Sequence, residues 1–61
     1  MDPKACLELL EQALNAQELD EARCFLEAYQ GWRARGGFEP TDGDRLANRC
    51  AYRLAALENN S

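Results

Sequence analysis

From Pro3 to Asn15 the apolar positions recur with a helical period. At roughly 100° per residue, Cys6, Leu7, Leu10, Ala13 and Leu14 gather on one side, opposite Lys4, Glu8, Glu11, Gln12 and Asn15. Asp2-Pro3 is a start signal, because Asp caps free amides and Pro is tolerated at the first helical position. The spacing predicts a helix over about 3–15. Its apolar arc is wider than the roughly 100° stripe that one core needs, because Ala5, Leu9 and Ala16 extend it along one flank. That flank is expected to be a self-association contact.

Asn15-Ala16-Gln17-Glu18 reads as a turn into a second helix over about 19–35, whose positive end is favoured by Glu18, Asp20 and Glu21. Ala22, Phe25, Leu26, Tyr29 and Trp32 form its inward face, while Arg23, Cys24, Glu27, Gln30 and Ala34 face out. Gly31 inside it costs about 1 kcal/mol relative to Ala, so its last turn is expected to be loose or bent. Arg35-Gly36-Gly37-Phe38 ends the helix, with Phe38 expected to fold back onto the last turn, and Pro40 blocks continuation. Thr41 followed by Asp44 reads as a capping-box start. A third helix is predicted over about 42–57, with residues 58–61 as a fraying tail.

In that third helix Ala47, Cys50, Ala51, Leu54 and Leu57 point one way, and Arg45, Arg49, Tyr52 and Arg53 the other. Short connections make neighbouring helices antiparallel. The expected fold is a single all-α domain over 1–61, a small three-helix architecture: an antiparallel helical hairpin plus a third helix packed across it. The expected core is Leu7, Leu10, Leu14, Ala22, Phe25, Leu26, Tyr29, Trp32, Cys50, Leu54 and Leu57.

Composition strengthens the helical reading. Ten Ala and nine Leu stand beside no Val and no Ile, and Thr41 is the one β-branched residue. Strands favour β-branched and aromatic residues, whereas Ala, Leu, Glu, Gln and Arg are good helix formers. With 61 residues, the chain buries only about 60% of the surface its unfolded form exposes. Such a core is thin for a chain standing alone.

The same composition argues against most enzyme chemistries. There is no His, and Ser61 and Thr41 are the only hydroxyl residues besides the two tyrosines. Cys6, Cys24 and Cys50 have no paired spacing, so neither a disulfide framework nor a zinc signature is expected. Cys6 and Cys50 read as small buried hydrophobes; Cys24 reads as a surface thiol, an interface residue or a redox handle. Asp42 with Asp44, and Glu18 with Asp20 and Glu21, sit at helix starts and read as caps rather than acid–base pairs. The Gly36-Gly37 pair follows a helix instead of preceding one, against a phosphate-cradling loop. No enzyme activity, cofactor or metal is expected.

Net charge is −4, split as 2 − 7 = −5 over residues 1–30 and 5 − 4 = +1 over residues 31–61. An acidic chain lacks the positive field that drives non-specific nucleic-acid binding. The candidate binding residues are Arg45, Arg49, Tyr52 and Arg53. Three readings compete for them: a solvated face, with or without tethering by acids of the first two helices, a docking face for an acidic protein surface (a twin subunit included), or a nucleic-acid contact. A helix-turn-helix reading fails because Glu18, Asp20 and Glu21 would repel phosphates. The expectation is a non-enzymatic, self-associating helical protein-interaction module that forms a homodimer. It would act as a small regulator, inhibitor or accessory subunit, and the alternative is a nucleic-acid-associated accessory protein using the Arg face. The N-terminal Met-Asp-Pro-Lys lacks a basic stretch leading into an apolar run, and no segment reaches the roughly 18 apolar residues of a membrane span. A cytoplasmic location is expected.

Overall fold

A computed structural model describes residues 2–60. Three helices follow one another: α1 over Pro3–Asn15, α2 over Leu19–Ala34 and α3 over Gly43–Asn59. The Asp2 side chain accepts a hydrogen bond from the Lys4 amide at 3.3 Å, and Pro3 opens α1, as the sequence predicts. α1 closes on a left-handed residue, Gln17, at φ 58°. The Glu18 amide then donates to the Ala13 carbonyl at 2.8 Å and the Gln17 amide to Leu14 at 3.1 Å. This paired closure satisfies carbonyls that the helix end leaves free.

The same device ends α2. Gly36 is left-handed at φ 94°, its amide donates to Arg33, and the Gly37 amide donates to Trp32. Gly37 lies on the Trp32 ring, where an added Cβ would stand 2.3 Å from the indole. α2 runs unbroken through Gly31, against the expected loosening, and ends at Ala34 rather than Arg35.

The start of α3 corrects the expected capping box. Thr41 does not cap the helix. The residue before it, Asp42, is left-handed at φ 55° and makes no side-chain cap bond, so the helix begins at Gly43 and extends to Asn59. Glu39 supplies the cap from the loop, accepting from the Asp44 amide at 3.0 Å. The Asp44 side chain is thereby released for other partners.

α1 and α2 pack as a hairpin, and α3 lies across both. The Cys6 thiol donates to the Phe25 carbonyl at 3.2 Å inside the hairpin. α3 is tied to α2 at both ends, by Asp44 to Tyr29 and Arg33 and by Glu58 to Arg23; it therefore runs antiparallel to α2 and parallel to α1. The buried set is Cys6, Leu7, Leu10, Ala13, Leu14, Ala22, Leu26, Tyr29, Ala47, Cys50 and Leu54. Of the expected core, Phe25, Trp32 and Leu57 are only half-buried. Phe25 and Leu57 still pack against the buried cluster, which includes Cys6, Ala13 and Ala47 in addition to the expected residues.

Candidate functional arginine face

α3 presents Arg45, Arg49, Tyr52 and Arg53 to solvent, and Tyr52 is 81% exposed. Their separation follows from helix geometry: Ala47, Cys50 and Leu54 fill the core side, so residues half a turn away project outward. Arg45 and Arg49 flank a shallow recess of about 290 Å³ with Thr41, Asp42 and Leu46. Arg53 donates to the Asn15 side-chain oxygen at 3.0 Å, a neutral partner at the end of α1.

Among the described residues, neither Arg45 nor Arg49 forms an ion pair. The arginines that do pair lie elsewhere: Arg23 with Glu58, and Arg33 with Asp44. Among the described residues no acid of α1 or α2 tethers Arg45 or Arg49, and both stand as a solvated face. The flank expected for self-association is spread along α1, with Ala5 half-buried, Leu9 36% exposed and Ala16 exposed.

The polar group that organises this end of the molecule went unrecognised in the sequence. Tyr29, 2% exposed, donates its hydroxyl to Asp44 Oδ1 at 2.7 Å. Arg33 donates to both oxygens of the same carboxylate, at 2.8 and 2.9 Å, and also to the Gly37 carbonyl. The hydrogen bonds from Arg33 and Tyr29 hold the Asp44 carboxyl below its ordinary value. Burial, with the Asp44 carboxylate beside it, pushes the Tyr29 phenol up to about 12. The available signal was the spacing: Tyr29 and Arg33 lie four residues apart, on one side of α2.

Burial raises the Cys6 and Cys50 thiols above their ordinary range, which keeps both protonated and poorly nucleophilic at neutral pH. Cys24 is exposed. Among the described residues no group of His, Cys, Asp or Glu side chains is arranged to hold a metal ion. A recess of about 280 Å³ lies between α1 and the start of α3, lined by Lys4, Leu7, Glu8, Glu11, Pro40, Thr41 and Leu46. No helix among the described residues is long and apolar enough to cross a membrane. Neither a family model, a curated protein nor a solved structure gives a significant match to this chain.

Proposed function

We propose that this chain is a non-enzymatic, self-associating helical interaction module that docks on an acidic protein surface through Arg45, Arg49, Tyr52 and Arg53. Its role would be that of a small regulator, inhibitor or accessory subunit in the reducing cytoplasm, where its three cysteines stay free. One observation carries the reading. Arg23 and Arg33 are spent on carboxylates of their own chain, whereas Arg45 and Arg49 pair with none among the described residues and stand beside an exposed Tyr52. Arginine and tyrosine are the residue types that dominate protein interfaces, and a guanidinium grips a carboxylate with two parallel hydrogen bonds. Self-association would use the apolar side of the hairpin, where Ala5, Leu9 and Ala16 lie.

An aromatic among arginines also suits stacking on a nucleic-acid base, but the −4 net charge opposes phosphate. Titration of the purified protein with polyglutamate, DNA and RNA at about 50 mM salt separates the two readings. The outcome expected is polyglutamate binding that is lost in a folded Arg45→Glu/Arg49→Glu variant, with no nucleic acid bound tighter than roughly 10 μM. Submicromolar nucleic-acid binding abolished in that variant would replace the protein-docking reading.

A further inference from the structure

We infer that two copies of this chain pair through α2, antiparallel, about a two-fold axis passing at Ala28. This deepens the self-association proposed above by assigning it a helix, a register and a set of side-chain partners.

Glu21, Ala28 and Arg35 are spaced by seven residues, so they follow one another along nearly the same side of α2. All three are exposed. Phe25 and Trp32 flank this line on the side of α1, each only half-buried, and Cys24 and Gly31 flank it on the other. A cleft of about 140 Å³ opens on the line, between Pro3 and Cys6 of α1 and Ala28, Trp32 and Arg35 of α2. The side of α2 that carries Ala22, Leu26 and Tyr29 is already occupied by the core. Ala28 itself stays exposed, with only the edge of that cleft toward Pro3 and Cys6 beside it.

A two-fold contact requires that if one residue touches a second, the second touches the first. Antiparallel helices centred on Ala28 pair residues equally far from it: Glu21 with Arg35, Cys24 with Trp32, and Phe25 with Gly31. Two of these pairings, Glu21 with Arg35 and Phe25 with Gly31, fit something otherwise unexplained. Glu21 and Arg35 make no ion pair within their own chain among the described residues, and the axis brings them together twice. The neighbouring Glu18 carboxyl pushes the Glu21 carboxyl up; a facing guanidinium relieves this crowding. Gly31 weakens the helix interior, yet a Cβ there would meet nothing within 4 Å. That open space receives Phe25 of the second copy. Ala28, the smallest side chain on the line, sits where the helices cross most closely.

The acidic start and basic end of this line are complementary to a second copy only when the helices run antiparallel, and this selects the occupant. Leu9 and Ala5, on the neighbouring flank of α1, fall at the rim of the contact. Arg45 and Arg49 lie on α3, away from it, and stay free for another partner.

Sedimentation equilibrium from micromolar to millimolar protein tests the inference, with circular dichroism checking that each variant remains helical. The wild-type chain should reach twice its 6.9 kDa mass. Glu21→Arg and Arg35→Glu should each weaken the dimer by about tenfold or more, and the two substitutions together should restore it. Ala28→Cys in a Cys24→Ser background should oxidise to a covalent dimer. Native Cys24 should not, because the axis holds the two Cys24 residues eight positions apart, about 12 Å along the helices. A chain that stays monomeric throughout overturns both the pairing and self-association. A dimer lost in Leu9→Glu but indifferent to Glu21→Arg, or one cross-linked through Cys24, keeps self-association and overturns this axis.

Discussion

Asp44 shows how one carboxylate can organise the end of a small bundle. It accepts from Tyr29 and twice from Arg33, and so satisfies the buried Tyr29 hydroxyl. Tyr29→Phe removes that bond while keeping the ring, and should cost about 1–2 kcal/mol in urea unfolding. The pH dependence has a definite sign. Asp44 and Glu58 have folded-state values below their ordinary 3.8 and 4.5, so each contributes stability that is present above the ordinary value. That stability is lost as pH falls through the lowered one. Thermal unfolding scans should therefore show the melting temperature dropping below about pH 4.5, and less steeply in an Asp44→Asn variant. At the alkaline end Tyr29 acts oppositely: stability falls as pH rises from its ordinary 10.0 toward about 12. In the sequence Asp44 was indistinguishable from a cap, because a carboxylate in the first turn is expected on dipole grounds alone.

The helices themselves were legible to within a residue or two, and α1 to the residue, because its amphipathic period, its Asp-Pro start and its turn agree. The entrance to α3 was not legible. Its cap comes from Glu39, five residues before the amide it binds, through a left-handed Asp42 that no local motif announces. Two backbone substitutions test these junctions in opposite directions. Gln17 takes a left-handed conformation that costs an L-residue roughly 1–2 kcal/mol; Gln17→Gly should therefore stabilise, by up to about 1 kcal/mol after the added freedom of the unfolded chain. Gly43 lies where a Cβ would come within 2.6 Å of the Tyr29 hydroxyl and 2.7 Å of Pro40. Gly43→Ala should destabilise by about 1–3 kcal/mol, the usual cost of overpacking. Urea midpoints of the two variants, read side by side, check both signs.

At the scale of the whole molecule, side-chain polar contacts fasten α3 to both helices of the hairpin. α3 is fastened to α2 through Asp44 and Glu58 and to α1 through Arg53, while Arg45 and Arg49 fasten nothing among the described residues. The all-α architecture and the outward arginine face could be read from periodicity, since both follow from which side of each helix is apolar. Which arginines would be consumed internally could not, because Arg23 and Arg33 meet carboxylates 35 and 11 residues away, a relation only the packed bundle creates. If Arg45 and Arg49 are kept free for a partner, as proposed, the fold does not depend on them. The most direct test is urea unfolding of Arg45→Gln/Arg49→Gln beside wild type at equal protein concentration. Gln is close to Arg in helix propensity, so the exchange removes the charge and the guanidinium without weakening the helix itself. The stability should stay within about 0.5 kcal/mol of wild type, as for an unengaged surface. A loss as large as that of Tyr29→Phe would contradict the claim and return these arginines to the fold.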